Sequence, residues 1–351
     1  MIQSAATQYM QKHVLDTNLC TYCGACVNLC PYFIAYNDRV LVRDDCNRTH
    51  GACLDICPRL TTDFPGLYKL LFDETDITPE IGAVKAFYIT RAADENVRKN
   101  AQHGGTVTAL IRLALEEGLI DEAVLSREEG PLLPTGLAVS RADSLSKYSK
   151  SSFVASPNVA AVNELMKTKA QRIGVVATPC HAQALAKMRI SQSPRVKENS
   201  EKLRLVIGLF CGWAFSSSEL KRVLSGKVED LASVIGMDIP PSQYHELEVY
   251  TTEGKLSISL DEVQECIRPA CRVCSDMTAE FSDISVGSAR LPEGWEEARS
   301  WNQVIVRTDF GQKLMNVAKS KGVLEFKEVP EGSLEKLKKA SLKKKMHAQR
   351  T

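Results

Sequence analysis

Twelve cysteines stand in this 351-residue chain, and seven of them fall before residue 60. Cys20, Cys23, Cys26 and Cys30, the last followed by Pro31, are spaced C-x2-C-x2-C-x3-C-P. That is the ligand run of a bacterial [4Fe–4S] ferredoxin, in which three thiolates wrap one cubane and the fourth reaches the other cluster. A zinc site normally stops at two Cys-x-x-Cys knuckles. A second half-run follows at Cys46, Cys53 and Cys57-Pro58. With the usual crossover, one cluster takes Cys20, Cys23, Cys26 and Cys57, and the other takes Cys30, Cys46 and Cys53. His50 stands three residues before Cys53, where Cys23 stands relative to Cys26. Either it is the fourth ligand, as imidazole is in Rieske centres, or it is a bystander beside a three-ligand or three-iron cluster.

The other five cysteines are Cys180, Cys211, Cys266, Cys271 and Cys274. Cys180 follows the strand-like run IGVVATP, and Cys211 ends the run LRLVIGLF. Sites in open α/β sheets form at the carboxyl ends of strands, so these two thiols can face each other. Cys271-x-x-Cys274 can then bring two more from one loop, enough for a third [4Fe–4S] cluster. Cys266 is a spare or an alternative ligand. The competing reading makes Cys180 and Cys211 buried free thiols, since cysteine is a good core residue.

The elements that must position these thiols can be read from periodicity. Residues 1–62 form a small module whose core would be its cofactors, because so short a piece buries little apolar surface. Residues 63–83 read as a connector with a short amphipathic piece. From Val84 the pattern changes to an α/β domain, 84–330, with a mixed sheet that is substantially parallel. VKAFYIT, EAVLS, GLAVS, RIGVVAT, LRLVIGLF, DISVGS and QVIVRT read as strands. TVTALIRLALEEG, NVAAVNELMKTK, HAQALAKMR and SSELKRVL read as helices. Tyr244 to Leu260 reads as a hairpin turning at Glu253-Gly254. Residues 331–351 are strongly basic, expected as a solvated helix or frayed tail rather than a docking patch for an acidic partner or coenzyme. His103-Gly104-Gly105-Thr106 opens a helix; it is an ordinary helix start, or one whose amides approach an anion such as a pyrophosphate. No G-x-G-x-x-G occurs, which speaks against a Rossmann nicotinamide site.

A composition of 44% hydrophobic and 25% charged residues is that of an ordinary globular protein. A net charge of +1 argues against a nucleic-acid binder. Met1 to Met10 lacks the apolar core of a signal peptide, and no run reaches the length of a membrane span. The expectation is a cytoplasmic protein in which disulfides are unfavoured.

Several segments together resemble the coenzyme F420 hydrogenase/dehydrogenase beta-subunit family. They are QHGGTVTALIRLALEEGLIDEAV, SKYSKSS, GVVATPCHAQAL, LVIGLFCGW, CRVCSDMTAEFSDISVGSA, PEGW and VIVRTDFGQKL. The resemblance runs from about residue 15 to 325. It implies FAD in the α/β domain, with His103, Gly104, Gly105, Thr106, Val107 and Thr108 near the flavin. Lys147, Ser149, Lys150 and Ser151, and then Asp283, Ser285 and Gly287, are weaker flavin candidates. The resemblance also implies a [4Fe–4S] cluster in the domain, held by Cys180, Cys211, Cys271 and Cys274. The expected role is an oxidoreductase subunit that exchanges hydride with coenzyme F420 and passes electrons to a partner redox subunit. The alternative is a relay that uses ferredoxin, NAD(P)H or another flavoprotein. A flavin-free relay and a zinc-stabilised scaffold are further readings, and cofactor analysis separates them. No side chain is assigned a catalytic role, since the cofactors would carry the chemistry.

Overall fold

The computed structural model describes residues 5–350; residues 1–4, where the polar N-terminus begins, and residue 351 lie outside the described residues. The larger part is built on an eight-stranded mixed sheet. Its spatial order is Leu324–Lys327, Ala86–Ala92, Asn302–Val306, Ile284–Ser288, Leu203–Leu209, Ile173–Ala177, Glu122–Glu128 and Pro134–Val139. The four from Ile284–Ser288 to Glu122–Glu128 run parallel, and every other pairing is antiparallel. The parallel strands are buried on both faces, which is why their sequences read as continuous Val/Ile/Leu runs. Leu203 and Val206 enter the core on one face, Leu205 and Ile207 the core on the other. The first face carries the helices Asn158–Leu165 and Pro179–Arg189; the second carries Thr106–Glu116 and Asp309–Ser320.

The strands and helices expected from periodicity are present, with most ends shifted by a residue or two; the helix expected over NVAAVNELMKTK stops four residues early, at Leu165. The hairpin pairs Glu246–Thr251 with Gly254–Ser259, so its turn is Thr252-Glu253 rather than Glu253-Gly254. It joins Val234–Asp238 in a separate three-stranded sheet. That sheet and the helix Ser217–Leu224 enclose their own core, where Cys266 is 1% exposed among Leu220, Val249 and Ile258. Cys266 is thus a core residue here, away from the other thiols.

The N-terminal module has a helical start over Ala6–Leu15, an antiparallel pair Phe33–Tyr36 with Arg39–Val42, and a short helix Ala52–Ile56. It shares its core with the large domain: Ala155 and Ala160 pack among Met10, Val14, Cys26 and Val27. Residues 63–83 are packed as well. The helix Phe64–Leu71 starts on an Asp63 cap, buries Leu67 completely and sets Phe64 and Tyr68 against Phe281. The C-terminal helix Ser333–Arg350 corrects the expectation of a solvated tail. It buries Leu337 beside Ile81 and Ile305, and Ser341 Oγ donates to Glu80 O at 2.6 Å. Among the described residues no helix is long and apolar enough to cross a membrane.

Candidate redox site

All twelve cysteines are free thiols. Their mutual electrostatics sort eleven of them into three groups. The first is Cys20, Cys23, Cys26 and Cys57. Burial raises Cys26 well above the ordinary thiol value, and Cys20, Cys23 and Cys57 push it further. Burial alone is the main reason Cys57 sits at about 11. The second group is Cys30, Cys46 and Cys53, where burial and then the charges at Cys30 and Cys46 push Cys53 up to about 12. The third is Cys180, Cys211, Cys271 and Cys274. There burial, with Cys271 and Cys274 pushing the same way, takes Cys180 to about 11. Cys211 lies higher still, from burial first, opposed by Lys344 and reinforced by Cys271, Cys180 and Cys274.

Local backbone explains how these thiols converge. The first loop turns through left-handed residues at Tyr22 (φ 59°), Gly24 (φ 80°) and Asn28 (φ 62°). Such alternation points successive amides to one side, and Tyr22 N–H donates to Cys20 Sγ at 3.4 Å. Gly24 is required twice over: its φ is positive, and a Cβ there would stand 2.6 Å from Pro157 O. In the domain, Cys180 follows the strand Ile173–Ala177 into the first turn of Pro179–Arg189, and Cys211 lies just beyond Leu203–Leu209. Both are at the carboxyl edge of the parallel strands. Cys271 and Cys274 come from the turn Pro269–Arg272, and Ala214 N–H donates to Cys271 Sγ at 3.4 Å.

The donor chemistry fits iron–sulfur clusters. Two groups hold four buried or half-buried thiols each, with no carboxylate or imidazole in the set. Thiols that repel one another's charged forms become ligands only around a cationic centre. Among the described residues no three His, Cys, Asp or Glu side chains close around a single metal ion; a cubane spreads its ligands over a wider shell. His50 is turned onto Asp55. Its Nε2 lies 2.8 Å from Asp55 Oδ1, and its side chain is 54% exposed. Asp55 is anchored in turn by Ser191 Oγ at 2.7 Å and Gln192 N–H at 3.0 Å.

The three groups are coupled in succession. After burial, the largest push on Cys23 comes from Cys180, which ties the domain group to the first group. Cys26 feels Cys53, which ties the first group to the second. Buried or half-buried cations that the sequence pattern does not reveal fasten these groups. Lys187 Nζ donates to Cys57 O at 2.7 Å, and Lys344 Nζ to Cys211 O at 2.8 Å. Arg268 donates to Cys20 O at 3.2 Å while paired with Asp38 Oδ1 at 2.6 Å. His181 caps its helix through Thr178, and its Nε2–H donates to Ser156 O at 2.8 Å. Burial lowers its pKa to about 4, so the ring is neutral. The only sequence hint of these roles is a charged or polar residue inside an otherwise apolar helix, as at Lys187.

The segment His103–Thr108 also lies at the carboxyl edge. Its glycines have packing reasons. A Cβ on Gly104 would stand 2.8 Å from Asn302 Oδ1, and one on Gly105 would crowd Val97 and Ala92. Thr106 N–H is taken by Asn302 Oδ1 at 3.2 Å, and Thr106 Oγ1 by Thr90 Oγ1 at 2.9 Å. Val107 and Thr108 continue the first turn, half-buried. The structure brings Lys147–Ser151 alongside. Ser149 Oγ donates to Asn100 O at 2.8 Å, Ser151 N–H to Gln102 Oε1 at 3.1 Å, and Lys150 Nζ to Ile235 O at 3.2 Å, while Lys147 is exposed. Asp283 and Ser285 do not join them, whereas Gly287 meets the segment through Asn302, whose Nδ2 donates to Gly287 O at 3.2 Å while its Oδ1 accepts from Thr106 N–H. Asp283 sits just before its strand, accepting from Val206 N–H at 2.8 Å and Thr308 Oγ1 at 2.7 Å. Ser285 Oγ accepts from Arg307 Nε at 2.8 Å, and Gly287 leaves room for the Phe210 ring. These three are engaged in internal packing.

Next to His103 stand side chains whose polar atoms lack partners. His103 Nε2, Asp238 Oδ2 and Trp295 Nε1 are buried without a hydrogen bond. His103 Nε2 is 3.4 Å from Asp238 Oδ2, close enough to attract but out of line for a hydrogen bond. Its ring meets Trp295 edge-on at 5.6 Å, and Arg290 and Arg299 lie over the same indole at 5.3 and 5.7 Å. Arg299 is also ion-paired with Asp238 and Glu248 at 3.6 and 3.7 Å, and the unpaired buried polar atoms beside these arginines fit a bound polar group. Of these residues, only His103 and Trp295, the latter in the PEGW segment, stand out in the sequence.

Comparison with known proteins agrees with this architecture. Residues 87–163 match the N-terminal family model of the coenzyme F420 hydrogenase/dehydrogenase beta subunit, and residues 170–332 match the C-terminal model of the same family. Residues 13–34 match a 4Fe-4S binding domain. A coenzyme F420 hydrogenase subunit beta from Methanothermobacter thermautotrophicus is 30% identical, over 73% of this chain and 91% of that protein. A coenzyme F420-dependent sulfite reductase from Methanocaldococcus jannaschii is 28% identical over 96% of this chain, which spans 51% of that longer protein. A chain of the F420-reducing [NiFe] hydrogenase complex from Methanosarcina barkeri superposes with a TM-score of 0.71 at 27% identity, covering 78% of this chain and 92% of that one. With its mixed sheet, its ferredoxin run and these matches, the chain belongs to the coenzyme F420 hydrogenase/dehydrogenase beta-subunit family of oxidoreductase components.

Proposed function

We propose that this chain is the subunit that takes hydride from reduced coenzyme F420, or gives it back, and relays single electrons to a partner redox subunit. The observation that carries the reading is the succession of three coupled thiol groups running from the carboxyl edge of the sheet into the N-terminal module. FAD in the α/β domain would convert between the hydride pair and single electrons, and three [4Fe–4S] clusters would carry the electrons one at a time. For the flavin, His103–Thr108 and Lys147–Ser151 supply one wall, and Arg290 and Arg299 supply guanidinium groups for a polar part of the cofactor. The protein's own work is to bind, to orient and to keep water from the domain thiols.

The second group, whose Cys30 and Cys46 are partly exposed, is the outlet. A partner subunit would lie beyond it, since an exposed relay needs an acceptor.

The test is anaerobic mixing of the oxidised protein with reduced coenzyme F420, and separately with NADH and NADPH, following flavin and cluster absorbance. Bleaching by reduced coenzyme F420 alone is expected. Bleaching by a nicotinamide alone, or by nothing until a partner protein is added, favours a relay that has left the deazaflavin behind.

A further inference from the structure

Lys187, which is buried, and Lys344, which is half-buried, end their ammonium groups on the backbone of candidate cluster ligands. Lys187 is 2% exposed in the middle of the helix Pro179–Arg189. Its Nζ meets three carbonyls: Cys57 O at 2.7 Å, Thr61 O at 2.8 Å and Leu60 O at 3.3 Å. Three acceptors need three donors, and only the protonated amine has three. Lys344 reaches in from the C-terminal helix to Cys211 O and Asp276 O, both at 2.8 Å.

Neither ammonium is in a salt bridge with a carboxylate. The nearest acidic groups are already engaged. Asp55, near Lys187, holds His50, Ser191 and Gln192; Asp276, near Lys344, accepts from the N–H groups of Thr278 and Glu280. Arg268 offers the contrast. It also touches a ligand carbonyl, that of Cys20, but Asp38 at 2.6 Å neutralises it. Lys187 and Lys344 therefore each set a positive charge, with no direct carboxylate contact among the described residues, against the backbone of a candidate ligand, one beside the first thiol group and one beside the domain group, while Asp55 and Asp276 attract them without touching the ammonium. The outer group of Cys30, Cys46 and Cys53 has no such lysine among the described residues.

We propose that Lys187 and Lys344 each set the reduction potential of the cluster beside them, holding it up by favouring the form with one more electron. This rests on the reading that the two four-thiol groups hold iron–sulfur clusters. No covalent bond changes: each cluster gains or loses one electron against the mediator used in the titration. Net charge and hydrogen bonds near the sulfurs are established determinants of cluster potential. A unit charge about 4 Å away is worth about fivefold in bulk water and about a thousandfold at the dielectric of a protein surface, so roughly tenfold is the lower end of the expected change in the reduced-to-oxidised ratio.

The experiment is a redox titration of the full chain, loaded anaerobically and read by spin resonance, for Lys187→Gln, Lys344→Gln and the corresponding Arg variants. In each Gln variant the reduced-to-oxidised ratio of one cluster at fixed poise should fall roughly tenfold or more, and tenfold is about 59 mV for one electron. Lys187→Gln should move the cluster of Cys20, Cys23, Cys26 and Cys57; Lys344→Gln should move the domain cluster. The Arg variants, which keep the charge, should stay near the wild-type value. Unmoved potentials in iron-loaded Gln variants overturn the proposal. So does an Arg variant that shifts as far as Gln, or a Gln variant that loses its iron, since the lysine would then build the site rather than tune it. A wild-type chain that takes up no iron sinks the cluster reading itself, an outcome separate from these.

Discussion

Two residues of the ferredoxin loops show how backbone and ligand chemistry meet. Gly24 turns with φ 80° against Pro157 O, so Gly24→Ala meets a left-handed penalty and a backbone clash together. A loss of roughly 2–4 kcal/mol in denaturant unfolding is expected, with the N-terminal module loosened from the domain. An unchanged midpoint would mean that the loop stands off the domain. His50 is the other case. Its Nε2 meets Asp55, and a carboxylate in that position is what orients an imidazole that binds metal through its other nitrogen. His50→Cys replaces a neutral donor by a thiolate, and the potential of the second cluster should fall while its iron is kept. A titration curve that does not move would make His50 a bystander. The thiol groups themselves were legible, because Cys-x-x-Cys spacing and strand ends are local signals. Lys187, Lys344, Arg268 and Asp55 were not. Their partners are carbonyls or side chains more than a hundred residues away, and no periodicity marks such a contact.

At the scale of elements, the continuous apolar runs of the central strands were readable because both faces are covered. The short edge strand Leu324–Lys327 escaped notice. It has four residues, only its first is buried, and it pairs on one side alone. The C-terminal helix misled for a different reason. Its lysines dominate the composition, yet Leu337, Ser341 and Lys344 fall on one side and dock against Ile81, Glu80 and Cys211. Long charged side chains cover a surface with their stems while their heads find polar partners. Ending the chain after Gly332 should therefore uncover the domain cluster. On exposure to air the truncated protein should lose about four irons per chain while the ferredoxin module keeps its own. Equal iron loss from both parts, or none, would separate this helix from the cluster's protection.

The whole molecule gives the thiol groups their order. The helix Pro179–Arg189 carries Cys180 at its start and Lys187 two turns later, and it packs against the short helix that precedes Cys57. Gln183 on the same helix donates to Pro58 O at 3.2 Å. One rigid element thus sets the domain group against the first ferredoxin group, an adjacency that neither segment's sequence reveals alone. The shared core of Ala155 and Ala160 with the module fixes the rest. The family resemblance named the flavin region, but not the pairing of His103 with Trp295 and Asp238, which depends on how the three-stranded sheet meets the domain. The central claim is that all three thiol groups hold iron–sulfur clusters in one relay. Iron and zinc analysis of anaerobically purified protein, with spin resonance of the reduced form, tests it most directly. About twelve irons per chain, or about eleven with a three-iron second cluster, and interacting cluster signals are expected. A preparation holding only about four irons, or zinc in their place, would contradict it.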